Sequence, residues 1–145
     1  MAAKDSGRAS GVGGRKKWLI ALLVIPALVL AVMIPIFEQL YEATKALHRF
    51  SDAVIAENYP QAYALTDQAL KDTTTYESFL KTHQQLTQRM GRLNSLKITQ
   101  SDVEEKADGW RGDIDATLLF EKGSLDFAFV LKKHQQWEVE SYHEL

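Results

Sequence analysis

Four histidines, His48, His83, His134 and His143, are the side chains whose ordinary pKa lies near neutrality. None pairs with another at the spacing of a helical or strand metal motif. The chain has no cysteine, which excludes a thiolate nucleophile, a disulfide and a cysteine-based zinc site. No Ser–His–Asp order, phosphate loop or dinucleotide fingerprint is present. Asp113 and Asp115 share one strand face, opposite Ile114 and Ala116. Two carboxylates so placed can act as a general acid and base, but a solvated outer face is the commoner use of the pattern. His83 follows Phe79 and Leu80 at helical spacing and reads as a partly buried helix residue. These residues predict no catalytic set, no metal and no cofactor.

The elements that must position these residues begin with a membrane segment. From Trp18 to Phe37 no side chain is charged or polar. A helix of that length spans ~30 Å, the thickness of a bilayer core. Pro26 lies mid-span and Pro35 near the exit, which a lipid-embedded helix tolerates; a hinge at Pro26 is the functional alternative. Arg15, Lys16 and Lys17 abut the N-terminal end, whereas Glu38 and Glu42 follow the other, with Lys45 and Arg49 further along. That bias places the N-terminus in the cytoplasm and the rest of the chain outside. Trp18 suits one interface, and Phe37 with Tyr41 the other. The rival is a cleaved signal peptide, but the run is long and ends in Ile34-Pro35-Ile36-Phe37-Glu38, a poor cleavage site. Three segments result: a basic, disordered cytoplasmic tail (1–17), a transmembrane helix (18–37) and an extracytoplasmic domain (38–145). The tail's Lys4, Arg8, Arg15, Lys16 and Lys17 against Asp5 make residues 1–37 net +4, within a chain of net −2. The domain is therefore acidic and lacks the basic stripe that a nucleic acid would require.

Within the domain, Leu40, Ala43, Leu47, Phe50 and Val54 form one helical apolar stripe that can continue from the span. Asn58-Tyr59-Pro60 predicts a stop and restart. A second helix is expected over 60–71, burying Ala62, Tyr63, Leu65, Ala69 and Leu70. Thr74 and Glu77 have capping-box spacing and start a third helix, which Gly91 ends. The period then changes to two. Leu93, Leu96 and Ile98 suggest one strand, and 101–109 reads as a loop. A second strand covers Trp110 to Glu121, with Ile114, Ala116, Leu118 and Phe120 on one face. Glu121-Lys122-Gly123 makes a hairpin turn. Leu125, Phe127, Phe129 and Leu131 alternate along a third strand. A turn over 132–136 leads to a short last strand from Trp137 to near Tyr142. Helices before a meander predict an α+β domain with three helices packed on a four-stranded antiparallel sheet.

The runs AENYPQAYALTDQAL, TYESFLKTHQ, MGRLNSLKIT and KKHQQWEVESY resemble small bacterial members of the nuclear transport factor 2-like (cystatin-like) superfamily. The resemblance covers roughly Leu47 to Tyr142. It implies a cystatin-like roll in the bacterial inner membrane, its domain on the periplasmic side, and says little about function. Enzymes of that superfamily place an Asp–His or Tyr–Asp set in the cone between helices and sheet, which here points to Tyr63, Asp67 and His83, with Asp113 and Asp115. The candidate pocket or docking residues are Tyr63, Asp67, Phe79, His83, Trp110 and Trp137. The leading expectation is a non-enzymatic interaction module, an accessory subunit or assembly factor of a larger membrane protein complex. An envelope protein that holds a small apolar ligand in the cone is the alternative, and an enzyme is third. A cavity of a few hundred Å³ would favour the ligand reading. The expected partners are the membrane and a membrane protein. No Gly/Ser linker lies between Phe37 and Phe50, which suits a domain that docks rather than roams.

Overall fold

The computed structural model describes residues 13–145, and along the first helix the side chains of Ile20 and of 22 onward. The tail assigned to 1–17 therefore lies outside the described residues for 1–12. Helix α1 is Gly13–Ile55. The chain divides between Pro35 and Ile36 into two units. In the first, large apolar side chains stand in the open, Leu23 at 73% and Ile34 at 62% exposure. Within Leu22–Ile55 this helix is long and apolar enough to cross a membrane. Water penalises such a surface at roughly 25 cal/mol per Å², and lipid removes the penalty.

The second unit is an α+β arrangement. Its elements are the C-terminal part of α1, then α2 (Tyr59–Ala64), α3 (Gln68–Thr73), α4 (Tyr76–Met90), β1 (Leu93–Lys106), β2 (Gly109–Phe120), β3 (Gly123–Lys133) and β4 (Trp137–Glu144). The strands form one antiparallel sheet in the order β1-β2-β3-β4. Ala43, Leu47 and Phe50 of α1 are buried, with Leu40 and Val54 half-buried beside them. Ile114, Ala116, Leu118 and Phe120 of β2 and Phe127, Phe129 and Leu131 of β3 are the buried inner face. Lys133 donates to Gln39 at 2.8 Å and to Glu42 at 2.7 Å, tying α1 to the end of β3. The Lys133 hydrogen bond holds the Glu42 carboxyl below its ordinary range.

Three expectations are corrected. The single helix over 60–71 is two helices, because Thr66 pairs with Val139 in a parallel bridge. The Asp67 N–H donates to the Val139 carbonyl at 2.9 Å, and the Val139 N–H to the Leu65 carbonyl at 3.1 Å. Asp67 then restarts the chain by accepting the Leu70 N–H at 3.1 Å as the α3 cap. Helix α4 starts one residue later than its capping-box spacing implied: Thr75, not Thr74, accepts the Ser78 N–H. The stretch expected as a loop after Ser101 is strand, since β1 pairs with β2 as far as Lys106↔Gly109. Gly91 does end α4, with φ at 79° and its N–H on the Thr87 carbonyl.

Candidate functional site: the helix–sheet cone

A buried histidine lies where α1, α4 and the inner sheet face converge. Phe79 is 1% exposed and His83 7%, one turn apart on α4. Their rings meet at 4.4 Å between centroids. Tyr63 of α2 extends this row through Phe79 at 5.3 Å and donates its hydroxyl to the Thr74 carbonyl at 2.8 Å. Phe50 of α1 packs edge-on to Phe79, His83 and Phe129. His83 Nε2 lies 3.0 Å from the Tyr142 hydroxyl. Burial among these rings disfavours the imidazolium and lowers the His83 pKa from 6.5 to about 4. The same burial pushes the Tyr142 phenol up. At neutral pH the pair is an uncharged histidine hydrogen-bonded to an uncharged tyrosine.

Tyr142 owes its place to a β-bulge. Val130 faces Ser141 and Leu131 faces Val139, so Glu140 is an extra residue in β4. Strict alternation from the buried Trp137 and Val139 would turn Tyr142 outward; the bulge shifts the phase and brings it beside its partner Phe129. Sequence periodicity alone therefore missed it.

A cavity of about 40 Å³ lies next to this pair, between the end of α1, α4 and the sheet. Phe50, Leu86, Leu118, Phe120, Phe127 and Phe129 contribute to its wall, together with His83 and Tyr142. It holds a few water-sized spheres, well below the ~300 Å³ where drug-sized ligand sites begin. Its rim carries Glu57 and Arg92, with Glu57 Oε1 3.0 Å from Arg92 Nε.

Of the six candidate residues, the structure brings Tyr63, Phe79 and His83 together, and His83 alone lines this cavity. Asp67 is 2% exposed and is spent on the α3 cap; the nearest basic atom is His134 Nε2 at 3.7 Å. Trp110 is half-buried near the β1–β2 turn, opposite Glu105 and Lys133 in the ladder. Trp137 is 4% exposed at the start of β4, its Nε1 unpartnered. Asp113 stands on the outer sheet face, where Arg111 donates to both its oxygens, and Asp115 lies on that face too. Among the described residues no three histidine, aspartate or glutamate side chains are placed to share a metal.

No protein-family profile matches the sequence, and no curated protein matches it. Among solved structures, that of Bdellovibrio bacteriovorus Bd1075 is similar, with a TM-score of 0.52 at 10% identity. The match covers 70% of this chain, which spans 38% of the length of that one. At that identity the likeness is one of fold: a helix-plus-sheet arrangement.

Proposed function

We propose that this chain is a membrane-anchored, non-enzymatic interaction module, an accessory subunit or assembly factor of a larger membrane protein complex. The observation that carries the reading is how the polar groups of the cone are used. Tyr63 is bonded to a backbone carbonyl, Asp67 caps α3, and His83 is held neutral against Tyr142. A general acid or base needs a group in reach of substrate at a matched pKa, and these three are engaged in structural bonds. The uncovered apolar helix supports anchoring, and the basic cluster before it supports a cytoplasmic N-terminus in a bacterial inner membrane with the domain outside. Phe37 and Tyr41, 64% and 68% exposed, are the large apolar side chains that the second unit leaves open on α1.

The test is co-purification of the tagged full chain in a gentle detergent, followed by mass spectrometry. A stoichiometric membrane-protein partner is expected, and Tyr41→Glu, at an exposed position, should remove it without changing the yield of folded chain. Recovery of the chain alone, at native expression and after cross-linking, would count against the reading.

A further inference from the structure

The rim of the small cavity holds an arrangement that packing alone does not explain. Helix α1 ends in paired 6→1 and 5→2 turns: the Asn58 N–H donates to the Ala53 carbonyl at 2.8 Å, and the Glu57 N–H to the Val54 carbonyl at 3.0 Å. The residue between them must be left-handed, a place where glycine is the usual occupant. Here it is Glu57, at φ 56°, the one non-glycine residue with positive φ among those described. What glutamate supplies there and glycine does not is a carboxylate, and that carboxylate lies 3.0 Å from Arg92 at the cavity mouth. Strained backbone of this kind clusters at ligand clamps.

The second observation is the cavity itself. Its wall is mostly apolar; among its polar members His83 Nε2 is bonded to the Tyr142 hydroxyl and the Ser51 hydroxyl donates to the His48 carbonyl, while Tyr59 and Thr87 complete it. Glu57 and Arg92 are the charged side chains that border it. An apolar space with one guanidinium at its mouth, already facing a carboxylate, is complementary to a molecule with an apolar end and a carboxylate head. The guanidinium's donors form a planar fork that a free carboxylate meets side by side.

We infer that this cavity binds a small amphipathic carboxylate: the apolar end enters beside Phe120 and Phe127, and the carboxylate displaces that of Glu57 from Arg92. A neutral apolar molecule gains nothing from Arg92. The volume limits the buried part to a few heavy atoms, as in a short-chain fatty acid. The site stands whether or not the chain has a protein partner, so its test is separate from co-purification.

The probe is hexanoate, 13C-labelled at the carboxyl carbon and titrated by NMR onto the full chain in phosphatidylcholine nanodiscs. Leu118→Trp, which fills the cavity, measures partition into lipid in the same discs. Wild type should show a saturable shift that Leu118→Trp lacks. Arg92→Gln, at an exposed side chain, should weaken binding several-fold, the worth of a solvent-screened ion pair. Glu57→Gly should tighten it several-fold, since it removes the competing carboxylate. Hexanol should compete poorly. A shift that is identical in wild type and Leu118→Trp, or binding that ignores Arg92→Gln while hexanol competes as well as hexanoate, would overturn the inference.

Discussion

His83 combines a titratable ring with an aromatic environment, and the two together set how the fold responds to acid. In the unfolded chain the imidazole takes up its proton near pH 6.5; in the fold burial delays this to about 4. As pH falls through that window the unfolded state binds a proton that the folded state refuses. Stability from this group is complete above pH 6.5, declines between 6.5 and 4, and changes no further below. The loss is on the order of 3 kcal/mol. Denaturant titrations from pH 7 to pH 4 should therefore show a decline in wild type that is much shallower in His83→Gln; parallel curves would mean that His83 is not held neutral. Gly91 poses a different constraint. Its φ of 79° ends α4, and a Cβ there would sit 2.8 Å from the Cβ of Glu121. Gly91→Ala should cost at least ~1–2 kcal/mol from the left-handed backbone alone, read as a lowered denaturant midpoint at unchanged slope. Asp113→Ala, by contrast, removes one exposed partner of an exposed arginine and should shift stability by less than ~0.5 kcal/mol.

At the scale of elements, the parts readable from the sequence were those where one period runs without interruption. The inner phases of β2 and β3 and the stripe of α1 lie where alternation and helical spacing put them, because a buried face selects apolar residues at every repeat. The misreadings fall where the period breaks. In β1, Ile98 faces Ala116 and Gln100 faces Asp115, so Thr99 is an extra residue; beyond it the inward set becomes Ser101 and Val103. A change from even to odd positions, filled by a serine and one valine, looks like the end of a strand. The bulge at Glu140 hid Tyr142 in the same way, and with it half of the His83 hydrogen bond. The α2–α3 break was hidden because its cause, the bridge from Thr66 to Val139, is a contact between residues far apart in the chain. Glu57 and Arg92 gave no signal either, since an exposed glutamate and arginine are ordinary surface residues until the fold brings them together. Two outcomes follow for the sheet. Phe127, Phe129 and Trp137, each at most 7% exposed, should cost ~3–5 kcal/mol when truncated to alanine. Deleting Glu140 should remove the bulge yet keep Ser141 opposite Val130 and Tyr142 inward opposite Phe129, so the variant should be far more stable than Tyr142→Ala; a deletion variant as destabilised as Tyr142→Ala would show that Glu140 is not the extra residue.

At the scale of the whole molecule, the two units pose different solvent problems. The first leaves apolar side chains uncovered along a helix long enough to cross a bilayer, whereas the second buries its own core. A reporter active only outside the cytoplasm, fused after Leu145, should be active if the basic cluster sets the orientation; a fluorescent protein that folds only in the cytosol, glowing at that position, would reverse it. The junction offers the sharper test of the proposed role. A tethered domain that acts alone is indifferent to its connection, and flexible sequence would serve it as well. A domain that docks on a neighbouring membrane protein depends on how far from the bilayer its surface is presented. The chain has no Gly/Ser stretch between Phe37 and Phe50, and those residues belong to α1. Inserting a Gly-Ser segment between Glu38 and Gln39 relaxes the connection. The bonds from Lys133 to Gln39 and Glu42 lie on the domain side of the insertion, so expression and the denaturant midpoint should hold. Partner co-purification should fall. If it survives with the partner at full stoichiometry, the connection is only a tether, and docking must rest on the domain surface alone.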